Sequence, residues 1–191
     1  MPIIRTARIA RFIGAIVLQN ARRMNDALVT FLRPLYQDLD GVSHFEEVER
    51  VAAVARALHA GDDPSFERLL LFHRLGRWLD KVGNLSRAAL ATGIAKGDLR
   101  RTAASIARLE APSTEAERAV AAAILIDAAG ARGLAERFAH ARREGKSVAD
   151  VAHAAMDEND VPEWMSGEGR AMLAAKRRRR DDFCRAVLEE R

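Results

Sequence analysis

Cysteine occurs once in the 191 residues, as Cys184, which excludes an internal disulfide and a thiolate metal cluster and suits a reducing cytoplasm. Aromatic residues make up only 5% of the chain, with a single tyrosine, and threonine is also scarce, so strands lack their usual formers. No run approaches the roughly 18 apolar residues of a membrane span. The apolar patch from Phe12 to Leu18 is short, meets Asn20, Arg22 and Arg23, and precedes no small-residue cleavage site, which argues against a secretory signal.

What the chain has in quantity is alanine, leucine and arginine, a helix-forming set. Hydrophobic residues at 49% and charged residues at 30% describe a globular chain, long enough for one domain or one domain with an appendage. The net charge of +4 gives mild attraction to polyanions and does not by itself establish nucleic-acid binding.

From about Thr6 to Leu35, apolar residues recur at spacings of three and four, including Ile9, Phe12, Ile16, Leu28 and Leu32. This predicts an amphipathic N-terminal helix that packs on the body of the protein or pairs two copies as a homodimer. Pro34 is expected to end or kink it. Ser43 with Glu46 reads as a capping box opening the next helix, and Asp63-Pro64 as the cap and first turn of an apolar helix from Phe66. Ser86 to Gly93 is a short helix, Asp98 caps another through Leu109, and Thr114 with Glu117 opens a helix apolar almost all round. A basic helix from Leu134 to Arg143, a short one from Ser147 and a last one to about Leu188 complete an all-α pattern.

Three polar residues stand at or near the ends of apolar helices: His44, His73 and Asp127. Imidazole nitrogens and a carboxylate suit a divalent transition metal, although a histidine so placed is more often a cap or core residue. The stretches SHFEEVERVAAVARAL, LLLFHRLGRWLDKVG and TEAERAVAAAILIDAAGARG together resemble the HD-domain phosphohydrolase superfamily over about Leu28 to Arg143. The resemblance implies an HD-domain-like helical bundle over residues 28–191, with residues 1–27 as an extra N-terminal amphipathic helix. It implies one divalent ion (Mn²⁺, Fe²⁺ or Mg²⁺), or none, with His44, His73 and Asp127 as the ligands. It also implies a phosphate ester or nucleotide as the substrate.

The departure lies at Arg74, where the family has the aspartate of its His-Asp pair. A guanidinium about 4 Å from a dication costs roughly 8 kcal/mol at an effective dielectric near 20. The histidine that some members carry near Ile106 to Glu110 is absent as well. Either Arg74 ion-pairs with Asp127 in place of a metal, or it binds phosphate through its planar fork with Arg77, Lys81 and Arg132. A third reading lets it reach solvent. If activity persists, Arg74 and Asp127 are its catalytic groups, acting on metal-activated water. The expected function is therefore a hydrolase-like domain with a degraded metal site, or a non-catalytic regulatory, nucleotide- or nucleic-acid-binding helical module.

The run Lys176, Arg177, Arg178, Arg179 and Arg180 reads chiefly as a solvated helix face, with nucleic-acid contact as the sharper alternative. His59, His140 and His153 read as surface or packing residues, Trp78 and Trp164 as anchors, and Cys184 as a small hydrophobe.

Overall fold

The computed structural model describes residues 26–37, 45–59 and 63–190. Ten helices and no strands are found among them, so the fold is all-α. In chain order they are α1 (Asp26–Gln37), α2 (Phe45–Leu58), α3 (Pro64–Phe72), α4 (Gly76–Leu79) and α5 (Asn84–Thr92). There follow α6 (Lys96–Ala107), α7 (Glu115–Ala128), α8 (Ala131–Arg143), α9 (Val148–Asp157) and α10 (Gly167–Glu189). None of these helices is long and apolar enough to cross a membrane. Most of the N-terminal stripe, and with it the expected extension and homodimer contact, lies outside the described residues, as do Ser43 and His44.

The helix starts follow local chemistry. Asp63 accepts the Ser65 amide at 2.8 Å with Pro64 in the first turn, as its sequence predicts. Thr114 with Glu117 and Ser147 with Asp150 both form reciprocal capping boxes. One expectation fails. Asp98 does not cap α6, which starts two residues earlier at Lys96 after an extended Ala95. Pro34, expected to end or kink the first helix, does not end it on the spot, since α1 runs on through Gln37. Pro34 stands on the exposed side, while Leu32 and Tyr36 are fully buried on the other, and their tertiary anchoring offsets the lost backbone bond.

Helices α2 and α7 make the most extensive pairing and form the middle of the fold. Val51, Ala52 and Ala55 of α2 meet Ala119, Val120 and Ala123 of α7 and the α3 residues Phe66, Leu69 and Leu70. The small alanines let the α2 and α7 backbones approach closely, which is why α7 is apolar nearly all round. A second apolar patch joins α1 and α2 to the end of α3 and to α4, α5 and α6, centred on Tyr36, Phe72, Leu75 and Leu99. Smaller patches hold α10 on α7 through Ile126 and Leu173, and on α8 and α9 through Leu134, Ala155 and Cys184. Burial raises the Cys184 thiol pKa, so it stays neutral and packs as a small hydrophobe.

Part of the basic run on α10 is structural. Arg177 donates to the Asn159 and Asp160 carbonyls at 2.9 and 2.8 Å, and Arg180, only 3% exposed, reaches Asp181 and the Glu158 carbonyl. Arg170 on the same helix donates to the carbonyls of Pro162, Glu163 and Met165. These guanidinium groups satisfy a connection that has no helical bonds of its own. The remaining cations of the run, Lys176, Arg178 and Arg179, are exposed.

Candidate functional site

The end of α3 is a polar knot built to close a helix. Its last carbonyls lack intrahelical partners. Tyr36 donates its hydroxyl to the Leu71 carbonyl at 2.8 Å, and the His73 Nδ1 lies 2.7 Å from the Leu70 carbonyl. A carbonyl only accepts, so Nδ1 carries the proton and Nε2 presents its lone pair. That Nε2 is buried and has no hydrogen-bond partner among the described residues. Burial lowers the His73 pKa despite the Leu70 bond and the field of Glu47, with Arg74 adding to the depression and Asp127 opposing it. The ring is therefore neutral at pH 7. Gly76, just beyond the knot, is needed for contact: a Cβ there would lie 2.9 Å from Ile106 Cγ2 on α6.

Around this knot α2, α7 and α8 contribute a ring of ion pairs. Asp127, in the last turn of α7, accepts both arms of the Arg50 guanidinium, Nε to Oδ1 at 2.9 Å and Nη2 to Oδ2 at 3.0 Å. Arg74 bonds to Glu47, one turn before Arg50 on α2. Arg132 lies 3.2 Å from Glu46 and 4.0 Å from Glu136, which itself stands 3.9 Å from Arg50. Glu47 and Asp127 are 13% and 15% exposed, so these bonds are shielded enough to count beyond those of an open surface. Burial works against the Arg50 charge, but the Asp127 bonds outweigh it and raise its pKa further. Burial and the neighbouring Glu47 raise Glu136, which its proximity to Arg50 only partly offsets.

Part of the set expected to act together does meet. His73, Arg74 and Asp127 do share one neighbourhood, since Arg74 and Asp127 both act on the His73 ring and on Glu136. Arg74, however, bonds to Glu47, and it is Arg50 that holds Asp127, so the cation on that carboxylate is not the one the sequence offered. Arg132 faces glutamates, while Arg77 and Lys81 are exposed on and just after α4. His44 lies outside the described residues.

Glu47, Arg50 and Glu136 were not singled out in the sequence. A buried carboxylate at Asp127 demanded a cation, but its partner is 77 residues away among 31 lysines and arginines. The only local signal was that Glu47 and Arg50 lie three apart, on one helix face beside the buried stripe.

Among the described residues, which do not include His44, the expected donors do not gather into a metal site. Both Asp127 oxygens are engaged by a guanidinium, and no group of three His, Cys, Asp or Glu side chains among the described residues is placed to hold an ion. The cluster is instead a charge-compensated polar network that fixes α2, α7 and α8 against the end of α3. Comparison of the chain with family models, curated proteins and solved structures returns no match.

Proposed function

We propose that this chain is an HD-domain-like helical module in which arginines stand where the related hydrolases hold a metal, and that it acts by binding rather than by metal-dependent hydrolysis. The observation that carries the reading is the two-armed Arg50–Asp127 bridge, on the carboxylate that the resemblance assigns to the metal. A fixed guanidinium supplies positive charge and directional donors to that carboxylate without any ion. To admit a dication, Arg50 would have to leave a half-buried site and expose Asp127 to a second cation alongside Arg74. His73, held neutral with its donor side on Leu70, serves as a helix cap in this reading.

Purified chain should carry far less than one equivalent of Mn, Fe or Mg. It should not turn over a phosphodiester or a nucleotide in added Mn²⁺. Stoichiometric metal together with turnover that disappears in His73→Ala would overturn the proposal. Metal content is the sharper arm, because it does not depend on the choice of substrate.

A further inference from the structure

Helices α5 and α6 are joined by only three residues, Gly93, Ile94 and Ala95. Gly93 closes α5 in the left-handed region at φ 71°, with its amide donating to the Ala89 carbonyl at 2.9 Å. The Thr92 hydroxyl donates back to Ala88 at 2.7 Å and accepts the Ile94 amide at 3.3 Å, so the turn is fixed from both sides. Ala88, Leu99 and Thr102 are buried, with Ile94 packed against the same apolar patch. The two helices contact each other, and α6 is backed by α3 and α4. Two short helices, a three-residue turn with a left-handed glycine and a buried inner face are the parts from which a helix-turn-helix unit is built.

The outer face of its second helix is open. Lys96, Gly97, Arg100, Arg101 and Ala104 are all exposed, at spacings that align them along one side of α6. Three of the five are cations, and the other two are small enough to let the backbone approach a partner closely. Asp98 is the only acid between residues 84 and 107, and it is paired to Arg101 and lies 3.9 Å from Arg68. Arg87 stands exposed in the first turns of α5. In helix-turn-helix proteins the first helix crosses the phosphate backbone and the second enters the major groove with its N-terminal residues on the base edges.

We infer that α5 and α6 form a duplex-DNA-binding element, with Lys96, Arg100 and Arg101 directed into the major groove and Arg87 onto the backbone. Arginine there pairs two-armed with guanine or clamps phosphate. The run on α10 is the poorer candidate, since Arg177 and Arg180 are committed to carbonyls of residues 158–160. The inference does not rest on the reading of the Arg50–Asp127 site, which lies on other helices.

The test is fluorescence anisotropy of the full chain on random duplex DNA of about 30 base pairs, at about 50 and 200 mM salt, with double-stranded RNA of the same length alongside. The chain should bind the DNA duplex at the lower salt and weaken steeply at the higher. Arg100→Ala with Arg101→Ala should lose about tenfold or more in affinity and flatten the salt slope by about two, with helical content unchanged. Lys176→Ala, Arg178→Ala and Arg179→Ala together should leave binding within about threefold, because those cations lie outside the element. Should the α6 double variant fail to fold, Ala104→Glu on the same exposed face replaces it, and it should weaken binding by a similar factor. No binding at low salt, equal or tighter binding of RNA, an unaffected α6 variant, or a loss that follows the α10 variant each overturns the inference.

Discussion

Replacing Glu117 with alanine should destabilise the fold by about 2–3 kcal/mol, the upper range for hydrogen bonds to a charged group. Glu117 is only 1% exposed at the start of α7. Its carboxylate accepts Arg108 through Nε at 3.0 Å and Nη2 at 2.5 Å. The Ser113 amide and hydroxyl and the Thr114 amide donate to the other oxygen at 3.0, 2.9 and 3.2 Å. Truncation takes the shared acceptor from these donors, and although water can reach the exposed Arg108, Ser113 and Thr114, a chain with about 5–15 kcal/mol of stability gives up a sizeable part of it. Urea unfolding at pH 7 measures the loss, and a change below about 1 kcal/mol would show that the network is not cooperative.

The same group sets an acid limit. Burial alone would raise the Glu117 pKa, but the Arg108, Ser113 and Thr114 bonds override it and hold it at about 2, against an ordinary 4.5. A depressed carboxylate stabilises the fold above its unfolded value and loses that contribution as pH falls toward the folded one. Stability should therefore decline between about pH 4.5 and 2, and Glu117→Gln should show a shallower decline over that window.

Gly133→Ala should cost about 3 kcal/mol, at the upper end of what overpacking produces. A Cβ on the buried Gly133 would fall inside the carbonyl of Ala128, and a backbone group at the end of α7 has no rotamer to escape into. The helices meet through a tight turn, with the Gly130 amide on the Asp127 carbonyl at 2.9 Å. Relief requires α8 to move, and with it Arg132 and Glu136, so the contacts to Glu46 and Arg50 are lost along with the packing. Gly97→Ala is the internal control. Its Cβ would meet only the tip of Arg101, at 3.8 Å, and should stabilise α6 by up to about 1 kcal/mol. Equal thermal shifts in the two variants would sink the steric account.

Most of the helices were legible because their signals are local. Thr114 with Glu117, Ser147 with Asp150 and Asp63 before Pro64 each fix a start within three or four residues. The run from Val120 to Ile126 marked the middle of the fold through composition alone. Pro34 left the last turn of α1 open, because a propensity rule does not weigh burial of Leu32 and Tyr36 against one lost bond on an exposed face. Asp98 did mislead. Taking it as a cap lengthens the link after Gly93, so the three-residue turn between α5 and α6 disappears from view. His73 and Asp127 do come into one neighbourhood, but which arginine serves which carboxylate depends on the placement of α2 against α7, and no sequence spacing encodes that.

The guanidinium groups that α10 extends over residues 158–165 have a consequence for motion. That connection has its carbonyls tied to side chains of Arg170, Arg177 and Arg180, and these are anchored on a long helix. It cannot fray by itself, as most irregular segments do. Its opening is tied to that of the C-terminal helix, so the two constitute one cooperative unit on the timescale of amide exchange.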